Sequence, residues 1–160
     1  MARFPVIIGR TEKMAIADLV LGVPAKIDTG AYRSAIHANS IRKVKRNGKT
    51  ILKVQLLGHP CSPDIYKLEF NEFEKVKVTN SFGHEEERYE VKLRIKLGPK
   101  VLDTSFTLAD RSKNLFPILI GRKTLKGRYF IDVASAGIDR LALKKEFNFD
   151  APIDDEDMED

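Results

Sequence analysis

The sequence predicts an all-β fold, and three observations carry that prediction. Tyr89 to Leu97 alternates strictly: Tyr89, Val91, Leu93, Ile95 and Leu97 fall on one face, and Glu90, Lys92, Arg94 and Lys96 on the other. That is the period-2 signature of a half-buried strand. Asn47-Gly48, set between two runs rich in Ile, Val and Leu, is a strong two-residue hairpin signal. Elsewhere the apolar runs are short and are cut by Gly, Pro, Asn or Asp. Only residues 122–125 read as a brief helical turn before Gly127.

Taken in order, residues 4–9 and 14–21 are apolar enough to be strands, and Gly22 is expected to turn the second into Val23–Ile27. An extended pattern resumes over 34–38. Residues 41–46 and 50–57 form the two arms around Asn47-Gly48. Residues 58–63 read as a loop, because Pro60 and Pro63 cannot donate to a ladder. A second hairpin is expected around Ser81-Phe82-Gly83, with arms near 74–80 and 87–97. Gly98-Pro99-Lys100 turns that arm into 101–108, and 129–133 is a closing strand. Neither an internal repeat nor a second domain is visible. A single domain is expected over residues 1–150.

Composition narrows the class. At 160 residues, with 42% hydrophobic and 32% charged residues, the chain has the balance of a globular domain rather than a disordered one. No apolar run approaches the roughly 20 residues that span a bilayer. The charged Thr11-Glu12-Lys13 arrives too early for the apolar region of a signal peptide. The single cysteine, Cys61, permits no internal disulfide, so a cytoplasmic location is expected. The net charge of +5 conceals an asymmetry. Six of the seven residues 154–160 are acidic, and the rest of the chain carries 17 acids against 28 bases. The segment 151–160 therefore reads as a solvated, disordered acidic tail on a basic body suited to polyanionic partners. A nucleic-acid platform is disfavoured, since the chain has no Trp and only 8% aromatics.

Two segments carry chemistry: Ala25-Lys26-Ile27-Asp28-Thr29-Gly30-Ala31 and Phe116-Pro117-Ile118-Leu119-Ile120-Gly121-Arg122. In the first, an apolar strand ends in a carboxylate, a hydroxyl and a glycine. Read locally, Asp28 is a turn cap that accepts backbone N–H bonds. The wider pattern adds a second reading. With Ser34-Ala35-Ile36-His37-Ala38 and Leu108-Ala109-Asp110-Arg111, these segments resemble the retropepsin-like aspartic proteases. More narrowly, they resemble the bacterial and archaeal branch once labelled ATP-dependent zinc proteases, over roughly residues 14–133.

That resemblance implies a β-barrel that works as a homodimer, since each chain offers one Asp-Thr-Gly and the chemistry needs two carboxylates. It implies Asp28 as base and acid, Thr29 as a hydrogen-bonding link across the twofold axis, and Gly30 as the point of close backbone approach. It places Ala31, Tyr32 and Arg33, with Phe82 and Gly83 at a hairpin tip, against substrate. Gly121 would pack behind the loop, and Arg122 would brace it through an ion pair with Glu12, Asp110 or Asp132. It further implies a peptide or protein substrate, an acidic or glutamate-bearing tail among them, and association with an ATP-grasp ligase. No cofactor is expected. His37, His59, Cys61 and His84 match no dense zinc-ligand spacing, and no Gly-x-x-x-x-Gly-Lys-Ser/Thr loop is present. Asp103-Thr104-Ser105 lacks the glycine and lies mid-strand, so it is not a second catalytic loop. The opposing class is a non-catalytic module that uses the same barrel and basic surface to hold an acidic protein or RNA.

Overall fold

The computed structural model describes residues 5–79 and 82–150. Its elements are β1 (Val6–Ile8), β2 (Thr11–Ile16), β3 (Val20–Ile27), β4 (Ser34–Arg46), β5 (Lys49–His59), β6 (Ser62–Phe70), β7 (Glu74–Thr79), β8 (Glu85–Leu97), β9 (Lys100–Ala109), β10 (Ile118–Ile120), α1 (Arg122–Leu125), β11 (Tyr129–Ile131) and α2 (Arg140–Glu146). The main sheet runs β10-β3-β2-β8-β9-β4-β5-β6. Because β4 also pairs with β10, the first six of these strands close into a barrel. The expected all-β barrel is the fold that forms.

Alternation builds that barrel. On β8, Val91, Leu93, Ile95 and Leu97 point inward while Lys92, Arg94 and Lys96 face solvent. Opposite them, Phe106 and Leu108 of β9, Ile36 of β4, and Ile118 and Ile120 of β10 complete one buried cluster. Burying each such side chain contributes about 1.5–3 kcal/mol. On the outer face Arg94 opposes Asp103 in register and grips it through two bonds of 2.9 and 3.2 Å. Asp103 is thus a strand-surface residue, as its mid-strand position predicts.

Several elements differ from the sequence expectation. Residues 34–46 form one strand rather than two, with a register shift between Ala38 and Ser40. The turn after β2 falls at residues 17–19, with Asp18 at φ 61°, rather than at Gly22. Asp tolerates that left-handed conformation, and Gly22 (φ 67°) is absorbed within β3. The segment around Pro60 is only a tight turn, and Pro63 lies in a real strand, β6. The sheet tolerates it because β6 is the outer strand, where a missing N–H breaks no ladder on the open side.

A second helix, α2, joins the expected helical turn. Asp139 caps it by accepting the Leu141 and Ala142 N–H groups, and Leu143 packs with Cys61, Leu115, Phe116 and Ile138. At seven residues its periodicity was too short to separate from the loop before it. Phe4, Ser81 and the acidic tail, for which expectations were stated, lie outside the described residues. Among the described residues no helix is long and apolar enough to cross a membrane.

Candidate active site

Where β3 ends, the chain breaks into a tight loop, residues 28–33, because its ladder partners run out: β10 stops at Ile120 opposite Ile27, and β2 begins at Thr11 opposite Lys26. The Asp28 N–H donates to the Ile120 carbonyl of β10 (2.9 Å), and Ala31 N–H turns back on the Asp28 carbonyl (3.3 Å). The Asp28 carboxylate accepts the Gly30 N–H at 2.9 Å, so the turn cap read from local sequence does form. A Cβ on Gly30 would stand 3.1 Å from that carboxylate oxygen. The cap occupies one oxygen and leaves the residue on the wall of a cleft of about 970 Å³.

The second motif grips the loop from behind. Arg122 and Lys123 N–H groups donate to the Ala31 and Tyr32 carbonyls (2.8 and 2.9 Å). Gly121 lies so close that a Cβ there would meet the Arg33 and Tyr32 carbonyl oxygens at 2.6 and 2.7 Å. Its N–H donates to Ser34 Oγ (3.0 Å), and Ser34, Thr124 and Thr104 form a buried hydroxyl chain with 2.8 Å links. The chain ties the loop base, α1 and β9 together with no polar atom stranded.

Arg122 corrects one expectation. It braces the loop through the Thr29 carbonyl (2.9 Å) and lies over the Tyr32 ring, 5.9 Å from its centroid. The carboxylates offered as its partners are engaged elsewhere: Glu12 by the Gly9 N–H, Asp110 by Ser112, and Asp132 by the Ala134 N–H. The acceptor is a main-chain carbonyl of the Asp-Thr-Gly loop itself. Arg33 instead reaches Glu90 on β8 (2.7 Å), which is 7% exposed and also lies 3.7 Å from Lys123. Thr29 itself is exposed on the loop.

The cleft brings most of the sequence-predicted site together. Asp28, Gly30, Ala31, Tyr32, Arg33 and Arg122 line one side. Phe82, in the turn between β7 and β8 and 84% exposed, lines another. Gly83 beside it holds φ 79°, a conformation that favours glycine. The cleft walls carry seven bases (Lys26, Arg33, Lys77, Arg88, Arg111, Arg122 and Arg140) against three acids, Asp28, Glu86 and Asp110. The site therefore attracts anions.

Arg111 was not foreseen as a site residue, although it closes the Leu108–Arg111 stretch of the resemblance. Nothing local distinguishes it from a surface arginine. Tertiary packing half-buries it: its Nε donates to the Phe116 carbonyl (2.9 Å) and its backbone N–H to His37 Nδ1 (2.9 Å). Burial first, and repulsion from Arg88 second, pull its pKa down to about 10, while the Asp28 carboxylate raises it. It remains cationic at neutral pH.

Packed against Arg111 are His37 and His59, with Cys61 bonded to His59, three of the four residues considered for zinc; His84 lies elsewhere in the chain, immediately before β8. His59 accepts the Cys61 N–H at Nδ1 (2.9 Å) and shares its Nε2–H between the Arg111 and Asn114 carbonyls (2.8 Å each). Both ring nitrogens are spent on backbone. Burial pushes the Cys61 thiol up to about 11, away from the thiolate a metal needs. The donor set does not fit a zinc site, and among the described residues no group of three such side chains could hold a metal.

His37 and His59 carry a pH consequence. Burial lowers both below the ordinary 6.5. The unfolded chain therefore binds more protons below that value, and stability is expected to fall as pH drops from about 6.5. The carboxylates lowered by Arg or Ser partners (Glu69, Asp103, Asp110) lose their contribution only below their ordinary values near 4, a separate window. Urea midpoints at pH 7.5 and 5.5 should show the loss. His59→Asn should be less stable at pH 7.5 yet flatter between the two; an unchanged slope would rule this cause out.

Residues 7–140 match a family model described as RimB-like, the retropepsin-like aspartic endopeptidase RimB. Two proteins named probable alpha-L-glutamate ligase, from Desulfotalea psychrophila and Shewanella pealeana, are 31% and 32% identical over 132 residues. The matches cover 80% and 79% of this chain but only 28% of each relative, so the chain spans less than a third of their length. A crystal structure of a protein of unknown function from Legionella pneumophila superposes with a TM-score of 0.64 at 32% identity, covering 82% of this chain and 95% of that one.

Proposed function

Because the chain belongs to the RimB-like family of retropepsin-like aspartic endopeptidases, we propose that it hydrolyses peptide bonds as a symmetric homodimer. The observation that carries this reading is Asp28, held by a capped loop on the wall of an anion-attracting cleft and gripped from behind by Gly121-Arg122. One chain supplies one such carboxylate, and a twofold axis supplies the second without further sequence. Two Asp28 groups facing each other at close range cannot both ionise, so they share a proton. The ionised member removes a proton from a bound water, and the protonated member donates to the scissile carbonyl oxygen. The tetrahedral intermediate then collapses as the leaving nitrogen takes a proton from the pair. Thr29, exposed at the loop, would bond across the axis. The β7–β8 turn with Phe82 and Gly83 would close over the peptide and exclude water.

The substrate we propose is an acidic, glutamate-rich protein tail. The cleft's excess of Lys and Arg supports this. So does the likeness to a segment of longer proteins named probable alpha-L-glutamate ligase. Functional association with an ATP-grasp ligase, and a cytoplasmic setting in keeping with one buried free thiol, belong to the same reading. The family's aspartic chemistry needs no cofactor. A non-catalytic module that holds acidic tails is the second reading, favoured by the single Asp-Thr-Gly loop that each chain brings to its cleft.

Dilution tests the dimer. Specific activity should fall as the protein is diluted through its dissociation range, in step with the mass measured by sedimentation. A strictly monomeric protein that stays fully active would defeat the shared-carboxylate mechanism.

A further inference from the structure

Arg111 is a half-buried cation whose burial no neighbouring group fully explains. Its main chain is locked from two sides, by His37 Nδ1 on the N–H and His59 Nε2 on the carbonyl. Its side chain is locked by the Phe116 carbonyl, a neutral acceptor that fixes the guanidinium at Nε without balancing its charge. The carboxylate that stabilises that charge is Asp28, across the cleft wall they share, while Arg88 opposes it. Arg88 is itself paired with Glu86. Desolvating a guanidinium in this way costs stability unless something on the cleft side completes it. A planar, pre-oriented fork on the wall of the cleft that also holds Asp28 is suited to one ligand chemistry above others, a carboxylate.

We propose that Arg111 is the carboxylate anchor of the cleft: it takes an acidic side chain of the bound peptide next to the scissile bond and sets the preference for Glu or Asp there. This rests on the peptidase reading above for what lies beside the anchored residue, and on Arg111's own setting for the anchoring. The locked backbone gives the fork a fixed address, so little side-chain entropy is lost when the carboxylate arrives. A peptide with Gln in that place leaves the buried fork without its charge-assisted bonds and is rejected for that reason.

The test uses full-length protein carrying Asp28→Asn, so that binding is read without turnover. Two fluorescent peptides are compared that differ only by Glu or Gln at successive positions. At one position the intact Arg111 background should bind the Glu peptide at least about tenfold more tightly than the Gln peptide. Arg111→Met should bring that ratio close to one, and Arg111→Lys should retain part of it. A ratio unchanged in Arg111→Met, or affinities for both peptides falling in parallel, overturns the proposal. If the substituted proteins do not fold, the Arg111 Nε–H resonance of otherwise intact protein must shift on saturation with the Glu peptide and not with the Gln peptide. No shift overturns it equally. Cleavage by the unsubstituted protein is a separate measurement. Its absence with the ratio intact removes the peptidase reading and keeps the anchor, whereas cleavage without an Arg111-dependent ratio does the reverse.

Discussion

Asp28→Asn is expected to reduce peptide cleavage by about 10³-fold or more while leaving the fold in place. The amide keeps the carboxylate's shape but cannot take a proton from water, and loss of a general base alone costs about 10²–10⁴-fold. In a homodimer both members of the pair are lost together, which puts the effect at the upper end. Stability should move by less than about 0.5 kcal/mol, because the oxygen of the substituted amide can still accept the Gly30 N–H that Asp28 accepts at 2.9 Å. Asp28→Ala removes that cap as well and should lose both activity and some stability. The two variants separate the roles: an Asp that only caps the turn predicts intact cleavage in Asp28→Asn and a lower melting temperature in Asp28→Ala. Exhaustive chelation, run in parallel on the unsubstituted protein, should leave turnover unchanged. Loss on chelation with Asp28→Asn still active would replace the aspartic mechanism with a metal-based one.

Gly121→Ala is expected to damage both the fold and the site, although it adds only one methyl group. Its φ of −96° suits any residue, so backbone strain is not the cause. The added Cβ would stand 2.6–2.7 Å from the Arg33 and Tyr32 backbone, which cannot rotate out of the way as a side-chain end could. Overpacking of this kind costs about 1–3 kcal/mol or more, a fall of about 2–12 °C in melting temperature for a chain this long. The displaced segment is the loop that carries Asp28, and misplacement by about an ångström can cost 10²-fold in rate. Gly127→Ala serves as control. It has open space around it but φ 77°, so it should cost about 1 kcal/mol with no specific loss of activity. Equal effects from the two substitutions would show that Gly121 is not the support of the loop.

The reach of the sequence differs from element to element for identifiable reasons. The β8 strand was legible because its alternation is a local property, and from Val91 to Leu97 a single face is buried; Glu90, buried by its pairing with Arg33, breaks the pattern at the start. The Asn47-Gly48 turn was legible for the same reason, and both residues take the positive φ that such a turn requires. Strand β6 was hidden by Pro63, whose penalty depends on whether the strand has a neighbour on that side. Helix α2 was hidden because seven residues give less than two turns of pattern. Asp28 and Gly121-Arg122 stood out as motifs, but the bond that joins Arg122 to Thr29 could not be read, since a carbonyl acceptor leaves no mark in the side-chain sequence.

By itself the sequence determined the strand faces, the hairpins and the presence of one Asp-Thr-Gly loop with one Gly-Arg partner. Each depends on residues within a few positions of one another, where side-chain direction follows from backbone period and turn chemistry. Only the tertiary structure decided that Arg33 meets Glu90, that Ser34, Thr124 and Thr104 form one hydroxyl chain, and that Arg111, bonded to His37 and His59, lines the same cleft as Asp28. Those meetings follow from strand register and from the pairing of β10 with both β3 and β4, which closes the barrel and draws distant segments to one cleft. Register is set by the burial of whole sheet faces, a property of the closed fold that no single stretch of chain contains.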